Sequence, residues 1–203
     1  MTHQVHFTKS GLTGIELVPF GMHACHFYDD RDELLSTLIP YFLAGLRARE
    51  RCIWITLPPL TMEQAFAALR VQWGGVDDAM NSGAITILDA EGWNDYSAGV
   101  KGADLVQFWL AEEECALADG YEGLRITANT GLRAETDGPA LKAYQEGMTA
   151  SFAGRRIVAL CSYPRSARDH AGTLQITGAH HCTLERCDRT WQVVDRDPQF
   201  PKS

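Results

Sequence analysis

The run from Gly21 to Thr56 limits what this chain can fold into, because it reads strand, turn, helix, strand. Met22–Tyr28 (MHACHFY) is apolar, rich in aromatics and too short for a typical helix. Asp29 and Asp30 follow, with Glu33 three residues after Asp30, the pattern of a capped helix start. Leu34, Leu35, Leu38, Ile39, Phe42, Leu43 and Leu46 then recur at helical spacing and form one broad apolar face. Cys52–Leu57 (CIWITL) is a second β-rich run, closed by Pro58-Pro59. Two buried strands joined by an amphipathic helix make a right-handed βαβ unit. The turn after Tyr28 lies at the carboxyl end of the first strand, where open α/β sheets bind ligands.

Strand and helix patterns alternate beyond this unit. Helices are expected at Met62–Trp73, Ala103–Asp119, Pro139–Phe152 and Ser166–Ile176, and strands at Ala84–Leu88, Leu124–Ala128 and Ile157–Cys161. His181–Arg186 and Trp191–Val194 flank a turn and read as a terminal hairpin. The pattern predicts a three-layer α/β sandwich with a mainly parallel sheet and a C-terminal β-hairpin. The expected division is a flexible N-terminal arm over 1–18, one domain over 19–195 and a loose tail over 196–203. The formal charge of −8 and the lack of a Lys/Arg run argue against a nucleic-acid surface. No segment approaches ~18 uninterrupted apolar residues, and the start lacks the order of a signal peptide, so a cytoplasmic location off the membrane is expected.

The turn at Tyr28 is where a phosphate loop would sit. Such a loop needs glycines to wrap its N–H groups round the phosphates and a lysine to reach them. The residues here are Asp29-Asp30-Arg31-Asp32. Three carboxylates would repel a triphosphate, so they read as helix caps and nucleotide hydrolysis is not expected. His23, Cys25 and His26 lie close together, and His180, His181, Cys182 and Cys187 form a second group. In a strand, His23 and Cys25 share a face while His26 points to the other. His23, His26, His181 and Cys182 are candidate metal ligands, although neither spacing matches a zinc module; core or hydrogen-bonded histidines are the default. Cys25 and Cys161 sit in apolar strands, where thiols are usually inert. Arg125 is a guanidinium inside an apolar strand and needs a carboxylate such as Glu112, a carbonyl or a ligand. Tyr28, Trp54, Trp93, Tyr96 and Tyr163 lie in or just after strands and suit either the core or an aromatic pocket.

Four segments together carry a family resemblance: Gly21–Tyr28; Phe42–Leu46 with Glu50-Arg51-Cys52; Gly120–Arg125; and Leu160-Cys161-Ser162-Tyr163. Their order and spacing resemble the MEDS domain, the methanogen/methylotroph sensory domain, from about Pro19 to Val194. The resemblance implies a degenerate relative of the RecA/KaiC-type P-loop fold that senses small molecules, among them hydrocarbon derivatives. In such a fold the first strand would be central, flanked by the fourth and fifth. Combined with the residues above, it gives a stand-alone, non-enzymatic domain without a cofactor. It would bind a small organic ligand, regulate a signalling partner in trans, either a kinase or a transcription regulator, and have the option of a homodimer. The expected ligand-binding residues are His23, Cys25, Tyr28, Trp93, Tyr96, Arg125, Asn129, Cys161 and Tyr163. The alternative is a metal- or thiol-dependent enzyme that uses the His/Cys clusters.

Overall fold

The computed structural model describes residues 5–100, 104–127, 138–166 and 176–194. Among these residues, nine strands run in chain order: β1 Phe7–Leu12, β2 Ile15–Pro19, β3 His23–Tyr28, β4 Arg51–Ile55, β5 Ile85–Leu88, β6 Leu124–Ile126, β7 Ile157–Pro164, β8 Cys182–Cys187 and β9 Thr190–Val194. Six helices lie among them: α1 Arg31–Arg47, α2 Met62–Gln72, α3 Val76–Asn81, α4 Ala90–Tyr96, α5 Asp104–Ala118 and α6 Gly138–Phe152. Seven strands form one sheet in the order β5-β4-β6-β7-β3-β8-β9, and β1 pairs with β2 apart from it. All neighbours in the large sheet run parallel except β8 and β9. The expected mainly parallel α/β sheet with a C-terminal hairpin is therefore present.

Alternation in the strands sends side chains to two cores. On one face Ala24, Trp54, Ile87, Val158 and Leu160 pack beneath α1, α2 and α3. On the other, Cys25, Ile53, Ile126, Ala159 and Cys161 pack beneath α4, α5 and α6. Helix α1 starts where the sequence places it, because the Asp30 carboxylate accepts the Glu33 N–H at 2.8 Å. A cap of this kind contributes about 1 kcal/mol. Its inner face buries Leu38 and Phe42, and the Phe42 ring stacks on Trp54 at 4.8 Å between centroids. Each such apolar side chain contributes about 1.5–3 kcal/mol.

Two features differ from the expectation. Strand β3 is interior and is flanked by β7, the fifth strand of the sequence reading, as expected, but its other neighbour is β8 rather than the fourth strand. The first arm of the terminal hairpin occupies the place expected for Leu124–Ile126, which pairs with β4 and β7 instead. Within the N-terminal arm, residues 7–19 form a hairpin. Thr8, Ser10 and Leu12 face inward along β1. Two of these are polar, so hydropathy gives no strand signal. They are buried because the Thr8 hydroxyl donates to Glu50 and that of Ser10 to the Ile15 carbonyl. Gly11 has φ +82°, and a Cβ there would overlap the Pro40 carbonyl of α1, so the hairpin's seat needs glycine on both counts. The expected helix over Ser166–Ile176 and the tail over 196–203 fall almost entirely or wholly outside the described residues.

Glu50 and Arg125 bind the hairpin, α1 and the sheet together. Arg125 Nε donates to Glu50 Oε2 at 2.5 Å and Nη2 to Oε1 at 3.2 Å. Nη1 donates to the carbonyls of Tyr41 and Ser10 at 3.1 and 3.3 Å, and Nη2 to that of Lys9 at 2.8 Å. Both side chains are fully buried. Arg125 thus has an internal carboxylate partner, as the structural alternative required, but it is Glu50 and not Glu112. Removing one charge leaves the other stranded. Arg125→Met and Glu50→Gln are each expected to lower unfolding stability by about 3–5 kcal/mol. The double variant Arg125→Met/Glu50→Leu recovers part of that loss. Urea unfolding of the four proteins measures all three effects.

Candidate functional site

The turn after β3 is filled by the chain's own groups. The Asp29 N–H donates to Glu33 Oε2 at 2.7 Å, and Asp29 Oδ1 accepts from Arg165 Nε at 2.8 Å. Arg165 also donates to the Phe27 carbonyl at 3.2 Å. A helix N-terminus attracts anions through its free N–H groups and dipole. Here carboxylates of the turn hold that position.

Beside the turn, Tyr28, Leu38, Trp54, Leu60, Thr127 and Ser162 border a small space of about 20 Å³ at the carboxyl ends of the strands. It is large enough for one water-sized molecule. Thr127 is satisfied, since its hydroxyl accepts the Ile55 N–H at 2.9 Å and donates to the Ile55 carbonyl at 3.3 Å. The buried indole N–H of Trp54 has no hydrogen-bond partner among the described residues. Behind Ser162, His26 Nε2 lies 2.7 Å from its hydroxyl oxygen. Burial, with Arg165 nearby, pushes the His26 pKa down to about 3.

The opposite face carries a buried polar cluster within an otherwise apolar layer. His23 Nε2 lies 3.3 Å from Cys161 Sγ, and the His180 ring centroid lies 4.2 Å from that of His23. Gln145 Oε1 of α6 accepts from Cys161 Sγ at 3.6 Å. The Thr149 hydroxyl, one helical turn on, donates to the Ala179 carbonyl at 2.5 Å. It must then accept from His23 Nδ1, 2.8 Å away, which puts the His23 proton on Nδ1. His180 Nδ1 lies 2.6 Å from the Ile176 carbonyl and likewise carries the proton, since a carbonyl can only accept. Both imidazoles are held neutral. Burial, then the neighbouring His180 and His181, pushes His23 well below its ordinary pKa, and burial takes His180 down to about 4.

The expected site residues divide among four places. His23, Cys25, Cys161 and Tyr163 share the α6 face, and Tyr163 packs edge-on to His180 at 6.0 Å. Tyr28 borders the small space on the α1 face. Trp93 stacks on Trp109 of α5 at 5.0 Å, and the Tyr96 hydroxyl donates to Glu112 at 2.7 Å, so both belong to the α4–α5 packing. Arg125 is committed to Glu50 beneath α1, away from the carboxyl ends. Asn129 lies outside the described residues. The expected ligand-binding residues are therefore not brought into a single pocket, because neighbouring strand positions point to opposite faces.

The candidate metal ligands separate for the same reason. His26 faces α1, Cys182 is buried in the core under α1, and His181 Nδ1 accepts the His23 backbone N–H at 3.1 Å. Of these four, His23 alone joins a group able to hold an ion among the described residues, with Cys161 and His180. Gln145 and Thr149 were not singled out in the sequence. Their signal was a polar pair four residues apart beside the apolar positions Tyr144, Met148 and Phe152.

The strand order and layers define a RecA/KaiC-like α/β domain. Among solved structures, the chain is similar to a KaiC-like protein from the hyperthermophilic archaeon Pyrococcus horikoshii OT3, with TM-score 0.61 and 11% identity over 98% of this chain and 92% of that one. It is also similar to the flagellar accessory protein FlaH from Methanocaldococcus jannaschii, with TM-score 0.56 and 11% identity over 89% of this chain and 80% of that one. A comparison with curated protein sequences finds no match. The family model described as the methanogen/methylotroph, DcmR sensory domain matches residues 22–181, so the chain belongs to the MEDS family. It is a member of a sensory domain family, and among the described residues no helix is long and apolar enough to cross a membrane.

The buried neutral His26 sets a pH dependence. Its folded pKa is depressed, so below about pH 6.5 the unfolded chain takes up a proton that the folded chain refuses. Its contribution to stability is complete above that pH and falls toward pH 3, by up to about 1.4 kcal/mol per pH unit. Urea unfolding at pH 7 and pH 5 is expected to show a smaller drop for His26→Gln than for the unsubstituted protein.

Proposed function

We propose that this MEDS domain binds a small organic molecule at the carboxyl ends of its strands and reports occupancy to a signalling protein. We infer further that it does so without hydrolysing nucleotide. The unpartnered Trp54 indole N–H carries this reading. A buried donor without an acceptor is unfavourable by about 1–3 kcal/mol, and Trp54 borders the small space next to Tyr28, Thr127 and Ser162. A ligand of few heavy atoms with an acceptor oxygen, such as a short alcohol or ketone, would satisfy it. The aromatic and aliphatic border would supply the apolar contact. Because the space admits only one water-sized molecule, such a ligand requires Tyr28 or Leu60 to move.

The turn supports the negative half of the proposal. Asp29, Asp30, Asp32 and Glu33 stand where phosphate oxygens would, and no glycine or lysine is present to receive them. Movement of Tyr28 or of α1, whose Leu34 and Leu38 also border the ligand space, is the simplest route to a partner. The partner would be a kinase or transcription regulator acting in trans. The enzyme reading is weaker, because His23, Cys161 and His180 are all buried, with exposures of 0, 0 and 4%.

A thermal-shift screen of short alcohols, ketones and halomethanes tests the proposal. A ligand at 100 times its Kd stabilises the native state by about 2.7 kcal/mol. That is a rise in Tm of roughly 5–11 °C for a chain of this size. Trp54→Phe is expected to stay folded and lose the shift for ligands with an acceptor atom. ATP with Mg²⁺ is expected to give no shift and no calorimetric heat. Micromolar ATP affinity, or no response to any of the small organic molecules, overturns the reading.

A further inference from the structure

We propose that His23, Cys161 and His180 form a binding site for one thiophilic d-block ion of the zinc–copper kind. This goes beyond the small-ligand reading and does not depend on it. The three residues come from β3, β7 and the segment before β8, and each can place one ligand atom within 4.8 Å of the other two. His23 Nε2 and Cys161 Sγ are already 3.3 Å apart. A tetrahedral ion with metal–nitrogen bonds of about 2.0–2.1 Å and a metal–sulfur bond of about 2.3 Å needs roughly 3.3–3.6 Å between such atoms. Closing the widest separation takes a shift of about 1 Å, within the reach of a turn of the His180 ring.

The hydrogen bonds on the far side of each ring carry the inference. Metal-bound histidines typically donate their other N–H to a carbonyl or hydroxyl, which fixes the tautomer and aims the bare nitrogen. His23 Nδ1–H is held by the Thr149 hydroxyl, itself anchored on the Ala179 carbonyl. His180 Nδ1–H is held by the Ile176 carbonyl. Both Nε2 atoms are left as lone-pair donors. That of His180 is buried and without a partner among the described residues. That of His23 faces the Cys161 thiol. The single Cys161 S–H proton serves either Gln145 or His23 Nε2, and a hydrogen-bonded core cluster in either case leaves His180 Nε2 with nothing to accept, whereas an ion answers both nitrogens at once.

Two neutral imidazoles and one thiolate are a borderline-to-soft donor set, which selects zinc or copper over magnesium or calcium. The Gln145 oxygen, 3.6 Å from Cys161 Sγ, is placed to serve as a weak additional ligand. On binding, a metal–sulfur bond forms as the Cys161 S–H bond breaks, and the proton leaves to solvent, so one proton is released per ion. No oxidant or reductant is required. His181 takes no part, since its Nδ1 accepts the His23 backbone N–H. Because the cluster is buried, loading is coupled to folding.

The test uses the full chain with exposed Cys115 and Cys187 replaced by serine, which removes surface thiols as competing ligands. The protein is unfolded, refolded with Zn²⁺, Co²⁺ or Cu⁺ under reducing conditions and desalted. One equivalent of Zn²⁺ or Cu⁺ is expected to remain, and the Co²⁺ form is expected to show thiolate-to-cobalt charge-transfer absorption. Competition between Zn²⁺ and Cu⁺ then assigns the ion. Cys161→Ser is expected to abolish the absorption, and His180→Asn to weaken retention at least 100-fold, with far-UV circular dichroism confirming that each variant is folded. His26→Gln, on the opposite face, is expected to retain the ion fully. Failure of the folded parent protein to retain any of the three ions, or a charge-transfer band that survives Cys161→Ser, overturns the proposal. Neither result bears on the thermal-shift response to small organic molecules.

Discussion

The buried pair of Glu50 and Arg125 is the interaction on which the α1 side of this domain depends. Two charges inside a protein are tolerated only when every donor and acceptor is matched. Here the guanidinium reaches the Glu50 carboxylate and the carbonyls of Tyr41, Ser10 and Lys9. Those partners belong to the entry to β4, to α1 and to the β1–β2 hairpin. Meeting the hydrogen-bonding needs of one side chain therefore fixes where three elements sit. Gly45 shows how tight the fit is, since a Cβ there would lie 2.5 Å from Arg125 Cδ and Nε. Tyr41 adds its ring under the guanidinium at 4.6 Å and donates its hydroxyl to the Ile126 and Val158 carbonyls, which links α1 to two adjacent strands.

The sheet separates the histidine cluster from this structural polar centre and from the small space. Arg125 and Glu50 lie beneath α1, and the small space with Trp54 lies on the same face at the carboxyl ends. The His23, Cys161 and His180 cluster lies beneath α6. Strand alternation keeps that cluster apart from the other two, so a change there reaches them only through the strands of the sheet. The segments of the family resemblance divide along the same line. Phe42–Leu46, Glu50–Cys52 and Leu124-Arg125 meet at the ion pair, whereas Gly21–Tyr28 and Leu160–Tyr163 supply β3 and β7 around the histidine cluster.

Element type was legible wherever a local apolar period was strong. The α1 stripe, the β4 run and the β7 run each bury most of the residues that their spacing marks. The β1–β2 hairpin was not legible, because its inward positions include Thr8 and Ser10, whose burial depends on acceptors elsewhere. Arg125 was recognisable as a residue in need of a partner, but Glu50 lies 75 positions away with nothing in the intervening sequence to name it. The aromatic residues Trp93 and Tyr96 looked like pocket lining and prove to be α4–α5 packing, since a large ring after a strand serves either purpose.

The sequence alone determined the alternation of strands and helices, the opposite facing of His23 and His26, and the absence of phosphate-loop residues at the turn after Tyr28. Each of these depends on identities and periods within a few residues, which backbone geometry converts directly into structure. Tertiary structure alone decided that β8 pairs with β3, that Glu50 answers Arg125, and that His180 rather than His181 joins His23 and Cys161. Those choices bring together residues as much as 158 positions apart. They are set by which packing leaves the fewest buried polar groups unmatched, a property of the whole assembled core that no local pattern contains.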